Sequence, residues 1–223
     1  MRVDLINHTQ NPERTVAAAA RLCYSDAYAK DLMEGLSEDR VRSLVRKLVG
    51  MGHLSPFEHA SFTFALEGVS RAMTHQLVRH RIASYSQKSQ RYVSEETFDY
   101  VIPPNILNDD KASKIYRETV DQIRTAYKEL SEIVPREDAR YLLPNACESK
   151  MVCTFNTRSL MNIFRQRCCN RAQWEIRELA DRMLIEVRRA APLLFENAGP
   201  PCEVDGICPE GDFSCGKLEG QGL

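Results

Sequence analysis

The chain has 223 residues, enough to bury a sizeable core, and its 43 % hydrophobic and 27 % charged content is that of a globular protein. Thirty basic against thirty-one acidic side chains leave a formal charge of −1, which argues against a domain built wholly for nucleic acid. No apolar run is long enough to span a membrane and Met1-Arg2-Val3-Asp4 opens no signal peptide, so the expected location is cytoplasmic.

Val3–Ile6 reads as a first strand. Asn11-Pro12-Glu13 then starts a helix, with a capping amide, proline at the first helical position and an acid in the first turn. Ser37 caps a second helix, where Val41, Leu44, Val45, Leu48 and Val49 recur at helical spacing until Gly50 and Gly52 stop it. Over Ala60–Leu66 the period changes: Phe62, Phe64 and Leu66 alternate with smaller residues, as in a strand with one buried face. Arg71–Val78 is expected to be helical, placing Arg79-His80-Arg81 at a helix end that leads into a loop. Phe98–Ile102 is a predicted strand closed by Pro103-Pro104. Tyr116, Val120, Ile123, Tyr127, Leu130 and Val134 mark one long amphipathic helix, ended by Pro135. A short helix over Arg136–Leu143, a strand over Met151–Phe155 and helices near Ser159–Cys169 and Ala172–Leu194 follow. Beyond Ala198 the periodicity is lost, so residues 199–223 are expected to form an irregular tail. Strands mixed with long helices, without regular βαβ alternation, predict α/β architecture of the α+β kind in a single domain.

Three clusters carry chemistry. Between Arg71 and Ser94 there are five Lys/Arg, two His and no Asp or Glu, a one-sided field inside a near-neutral chain. Ser84, Tyr85, Ser86, Gln87, Ser89, Gln90 and Tyr92 supply hydrogen-bonding groups among those charges, which suits a phosphate-bearing ligand whose head group is also read. His53-Leu54-Ser55-Pro56-Phe57-Glu58-His59 is expected to be a loop that sets Ser55 and Glu58 against a polar ligand; its spacing fits no metal site, and the plain alternative is a turn with Glu58 beside an arginine. Arg158, Asn162 and Arg165 share a helical stripe behind Asn156-Thr157, a phosphate-attracting arrangement whose plain alternative is pairing with Glu175 and Glu178. Arg140 reads as an ordinary surface residue.

Of eight cysteines, Cys23, Cys147, Cys153, Cys168 and Cys169 are expected to act as small core residues. Cys202, Cys208 and Cys215 lie in the tail with a spacing that lacks zinc knuckles, so no metal is expected. There is no G-x-G-x-x-G, Walker A loop or G-x-S-x-G. Tyr85 and Tyr92 could stack on bases, so a non-catalytic nucleotide- or RNA-binding module is the rival reading; near-neutral charge speaks against nucleic acid as the partner.

Arg79-His80-Arg81, seven residues and Ser89, continued by Gln90-Arg91-Tyr92, resembles the signature of the flavin-dependent thymidylate synthases. The His53–His59 stretch, Pro135–Arg140 with Leu143-Pro144, Asn156–Asn162 and Ala172–Arg177 resemble further segments of that family, in the same order, over about residues 1–195. The resemblance implies reductive methylation of dUMP to dTMP, with methylenetetrahydrofolate as one-carbon donor and NADPH as reductant through bound FAD. It also implies a mostly antiparallel central sheet flanked by long helices and a homotetramer with shared sites. By position, Ser55, Arg79, His80, Arg81, Gln87, Asn156, Thr157, Arg158 and Asn162 would hold FAD. Gln76, Arg79, Gln87, Ser89, Arg91, Arg140 and Arg167 would hold dUMP, with the Lys88 and Gln90 backbone completing a phosphate loop. His53 would lie near the flavin and folate. Arg167 is the expected catalytic residue, a fixed cation beside the uracil, and Ser89 a ligand rather than a nucleophile. Gln87 stands where the family often has an acid, and Ser86 where it often has Asn. Residues 1–198 are the expected synthase domain, with the tail outside it.

Overall fold

A computed structural model of the chain describes residues 1–218. Its elements in order are β1 (Arg2–His8), α1 (Pro12–Leu22), α2 (Ala29–Gly35), α3 (Glu38–Gly50), β2 (Ser61–Ser70), α4 (Arg71–Leu77), β3 (Ala83–Gln87), α5 (Pro104–Leu107), α6 (Asp110–Ser131), α7 (Arg136–Ala139), β4 (Glu148–Asn156), α8 (Thr157–Arg167), α9 (Trp174–Ala190) and α10 (Pro201–Val204). The four strands form an antiparallel sheet in the order β1-β2-β4-β3, so the mixed α+β architecture holds. By compactness the chain divides into two units. One comprises Met1–Arg2, Leu66–Arg79 and Ser86–Val152; the other comprises Val3–Ala65, His80–Tyr85 and the chain from Cys153 onward. The backbone passes between them within each of the four strands and once more between Arg79 and His80.

The larger unit is built on aromatic packing. Phe62 and Phe64 of β2 alternate inward, both fully buried, as the period-two pattern requires. Phe195 meets Phe62 edge-on at 5.3 Å and Phe164 at 5.9 Å, and Phe155 of β4 meets Tyr85 at 5.7 Å. Val16, Val41, Val45, Leu160, Leu179 and Met183 complete this core from α1, α3, α8 and α9. Ser37 caps α3 as expected, accepting from the Arg40 N–H, and Gly52 takes the left-handed conformation (φ 67°) that ends it. Asn11 does not cap α1 through its side chain; it sits left-handed at φ 49°, a conformation asparagine tolerates.

The smaller unit rests α6 on Phe98, Val120 and Cys147, flanked by Tyr100, Tyr116, Ile123 and Leu143. Arg124 lies over the Phe98 and Tyr100 rings at 5.2 and 5.0 Å while donating to the Phe98 carbonyl. The expected strand over Phe98–Ile102 is not one: only Tyr100 bridges, to Cys147, and the following prolines start α5. α6 begins at Asp110, capped by Asp109 through the Ala112 N–H, a turn earlier than its apolar stripe shows.

Three further expectations are corrected. The segment after Arg79-His80-Arg81 is strand β3 rather than a loop: Ala83, Tyr85 and Gln87 are half-buried and alternate with exposed Ser84 and Ser86, so the period is present but its faces are both polar. Residues Ser55–His59 form a 3-10 turn, and α2 has no counterpart among the predicted elements because it buries nothing. Cys23 is exposed, whereas Cys147 and Cys153 are buried, their thiols pushed up to about 11 and about 12, chiefly by burial. Within the tail, α10 and a 3-10 turn at Gly211–Phe213 interrupt otherwise irregular chain, and residues 219–223 lie outside the described residues.

Candidate active site

In the larger unit the candidate residues gather along α8. Its first residue, Thr157, is fully buried and donates twice to the Ala60 carbonyl, from its N–H at 2.9 Å and its hydroxyl at 3.2 Å. That anchor sets the start of α8 against the Ser55–His59 turn, where Arg158 donates to Glu58 at 2.6 Å. The plain reading of Glu58, a turn acid beside an arginine, is therefore what the structure shows. Asn156 caps α8 through its amide oxygen, which accepts from the Ser159 N–H at 2.8 Å, and Ser159 donates to the Ile82 carbonyl at 2.9 Å. At the other end of the helix, Arg167 donates from Nε to His80 Nε2 at 3.2 Å. Residues 80–82 thus run along α8 in the reverse direction, with the His80 ring reaching the residue at its end and the Ile82 carbonyl a residue of its first turn.

His80 is held twice, its ring by Arg167 and its carbonyl by the Tyr85 hydroxyl at 2.7 Å. Burial, and then the Arg167 charge, lower its pKa to about 4. A neutral imidazole is what the hydrogen bond demands, because an arginine can only donate and Nε2 must keep its lone pair. Among the described residues no carboxylate pairs with Arg167, so its cation is oriented by a neutral partner and keeps its charge. Tyr85, half-buried, has its phenol pKa raised by burial and stays protonated.

Ser55, Arg81 and Asn162 are exposed near these groups in the chain, with the Asn162 amide oxygen accepting from Gln166 at 3.1 Å. Arg165 departs from the expected stripe. It pairs with Asp205 of the tail at 2.8 Å, and Glu178 takes Arg182. His53 and His59 are exposed. Among the described residues no group of three or more His, Cys, Asp or Glu side chains is arranged to hold a metal ion.

In the smaller unit a second group forms where β3 ends. Gln87 donates to Thr74 Oγ1 at 3.0 Å and Ser149 Oγ at 2.9 Å, both buried, so its amide nitrogen is spent inside the protein and its oxygen alone is left for a ligand. Lys88 is fixed at both ends. Its N–H donates to the Lys150 carbonyl at 2.9 Å, and its ammonium lies 2.8 and 2.9 Å from the two oxygens of Glu95, a carboxylate only 2 % exposed. The Ser89 hydroxyl accepts from the Arg91 N–H, and Ser89's carbonyl from the Val93 N–H, shaping a turn over Lys88–Arg91. Gln90 reaches the Cys147 sulfur at 3.7 Å.

Arg91 and Arg140, 49 positions apart in the chain, converge on one residue. Arg91 forks onto a carboxylate oxygen of Glu137 at 2.8 and 3.0 Å, and Arg140 donates to the Glu137 carbonyl at 3.1 Å. Gln76 and Arg79 sit at the end of α4, where the Arg79 N–H closes on the Gln76 carbonyl. The acids that orient this group, Glu95 and Glu137, were not among the predicted site residues. Glu95 stands one position beyond the acid-free window and looks, beside Glu96, like solvated chain; nothing local marks it as buried.

Comparison with known proteins supports a single family. The family model described as thymidylate synthase complementing protein matches residues 4–193. A flavin-dependent thymidylate synthase of Clostridium tetani is 52 % identical, covering 97 % of this chain and 94 % of that protein. Proteins of the same name from Geobacter sulfurreducens and Pyrococcus abyssi are 49 % and 43 % identical, over 97 % and 94 % of this chain and 94 % and 90 % of theirs. The Arg79–Ser89 signature, the α8 arginines and a match over nearly the whole chain agree, and the protein is an enzyme of the flavin-dependent thymidylate synthase family.

Proposed function

We propose that the protein methylates dUMP to dTMP reductively, taking the one-carbon unit from methylenetetrahydrofolate and reducing equivalents from NADPH. The observation that carries this reading is Arg167, a cation oriented by the neutral ring of His80. FAD, when bound, would relay the hydride from NADPH. The donor set fits such a group: Arg81, Arg158, the Asn156 amide and the start of α8 offer guanidinium and amide donors to a pyrophosphate, and His80 offers an unprotonated ring. Ser55, Arg79, Gln87, Thr157 and Asn162 complete the proposed flavin set, Thr157 by anchoring the helix rather than by an exposed group.

On the substrate side, Arg91 and Arg140 would bind the dUMP phosphate, with the Lys88–Gln90 backbone and the Ser89 hydroxyl around it. Gln76, Arg79 and the Gln87 oxygen would read the sugar and base. Arg167 would stabilise negative charge developing on the uracil as C5 is activated. No nucleophilic cysteine is invoked; Cys147 and Cys153 are buried with raised pKa values. We take residues 1–198 as the synthase portion and 199–223 as an appended tail, working as a homotetramer in the cytoplasm. Among the described residues no helix is long and apolar enough to cross a membrane, in keeping with that location.

The test is spectroscopic and kinetic. Purified protein should show flavin absorption that dUMP perturbs, and should oxidise NADPH with formation of dTMP only when dUMP and methylenetetrahydrofolate are both present. A colourless protein that cannot be reconstituted with FAD, or one that binds RNA with a steep salt dependence and never turns over, would refute it.

A further inference from the structure

Among the described residues, four cations line one cavity of about 510 Å³ at the C-terminal end of α8: Arg165, Arg167, Arg171 and Lys217. Three of them meet carboxylates of the tail. Arg165 pairs with Asp205 at 2.8 Å, Arg171 lies 3.6 Å from Glu210, and Lys217 pairs with Glu203. The fourth, Arg167, has no carboxylate partner among the described residues and is held by the neutral His80 ring.

The tail is laid over the helix end in a way that keeps this pairing. Glu203 and Lys217 both belong to it and close it on itself. The Phe213 ring covers the Arg171 guanidinium at 5.1 Å, and the Cys215 sulfur lies 3.6 Å from the Asn170 amide nitrogen. The Arg165 and Arg171 pairs are each roughly half exposed, so they contribute little to stability. What they change is the field inside the cavity. Without Asp205 and Glu210, three guanidinium groups would line one space, and such a cluster holds phosphate or pyrophosphate through paired N–H donors. With both acids in place, the same space offers one uncompensated guanidinium. A single fixed cation suits one delocalised negative charge, as on an activated uracil, better than it suits a phosphate.

We propose that Asp205 and Glu210 determine which anion the Arg167 cavity accepts: by occupying Arg165 and Arg171 they keep phosphate groups out and leave Arg167 to the base of the nucleotide. The exclusion of phosphate stands on the charge pairing alone, whereas the assignment of the base to Arg167 rests on the thymidylate synthase reading. Neither acid touches substrate; each acts through the arginine it holds.

The test uses the full-length protein with inorganic pyrophosphate as the probe, its binding measured by isothermal titration calorimetry. Asp205→Asn combined with Glu210→Gln should bind pyrophosphate about tenfold more tightly than wild type, because two exposed pairs no longer compete for the guanidinium groups. Adding Arg165→Gln and Arg171→Gln should abolish that gain, a reversal that mere loosening of the tail would not produce. In turnover assays containing pyrophosphate, the KM for dUMP should rise more in the double variant than in wild type, with kcat unaltered by the probe. Equal affinity in the two proteins, a gain that survives loss of both arginines, or a KM rise no larger than that of wild type would overturn the proposal. The gain in binding would remain in a protein that holds no flavin and forms no dTMP, so failure of the synthase reading is told apart from failure of this one.

Discussion

The two candidate groups hold their cations in opposite ways. At the end of β3, Lys88 and Arg91 are each locked to a carboxylate, Glu95 and Glu137, so their charges are largely neutralised at rest. At the end of α8, Arg167 is oriented by a neutral imidazole and keeps its charge. A group that only has to position a phosphate loop can be braced by acids. A group that must stabilise charge appearing during a reaction cannot, because a resident carboxylate would compensate the cation in advance.

Removing the histidine-held cation is the largest test of this contrast. Arg167→Ala is expected to lower kcat by about 10²–10³, the usual loss for one preorganised charge-stabilising donor. Its thermal midpoint and flavin content should stay close to wild type, since the side chain makes one hydrogen bond and no ion pair among the described residues. Steady-state NADPH oxidation with dTMP analysis measures the first quantity, and near-normal turnover would remove the distinction drawn here.

In the acid-braced group the expected loss is of stability rather than rate. Glu95→Gln leaves the Lys88 ammonium, only 21 % exposed, without its counter-charge, which should cost about 2–3 kcal/mol in denaturant unfolding. Replacing both partners, as in Lys88→Met with Glu95→Leu, should recover most of that, because the cost lies in the unpaired buried charge. A single variant as stable as wild type would mean that the pair does not brace the turn over Lys88–Arg91.

The neutral state of His80 makes a pH prediction whose sign can be worked out. The folded pKa of about 4 lies below the ordinary value of 6.5. Above pH 6.5 both folded and unfolded chains carry a neutral ring, and nothing is lost. As pH falls from 6.5 towards 4, the unfolded chain takes up a proton that the folded chain refuses, so stability declines across that window. His80→Asn, which keeps an acceptor for Arg167, should flatten this part of the stability profile measured by denaturant titration. An unchanged slope would show that the ring titrates normally and that Arg167 does not depend on its neutrality.

The sequence made one side of this contrast visible and hid the other. Phe62, Phe64 and the repeated valines and leucines of α3 announce their elements because burial selects apolar side chains at one period. Strand β3 escaped that test because Ser84 and Ser86 face out while Ala83, Tyr85 and Gln87 face in, so polarity never alternates strongly. Arg79-His80-Arg81 and Arg158 stood out as an excess of charge. Their acid partners did not, since Glu95 and Glu137 acquire meaning only when distant segments fold onto Lys88 and onto Arg91. Arg140 shows the same limit: its proximity to Arg91 runs through Glu137, and no local pattern records it.

Glu58 is the smallest and sharpest probe, because it is the acid placed against Arg158 at the start of α8. Its pair with Arg158 is roughly half exposed on both sides, so Glu58→Gln should change stability by less than about 1 kcal/mol. If Arg158 serves the flavin pyrophosphate, the carboxylate competes with that anion for the same guanidinium, and removing it should tighten FAD two- to fivefold, by the modest worth of an exposed pair. Riboflavin, which lacks the phosphates, should bind unchanged, and the gain for FAD should shrink with added salt as screening grows. Weaker FAD binding in Glu58→Gln would instead make the carboxylate a brace for Arg158, as Glu137 is for Arg91. The boundary between acid-braced and uncompensated cations would then fall within α8, between Arg158 and Arg167.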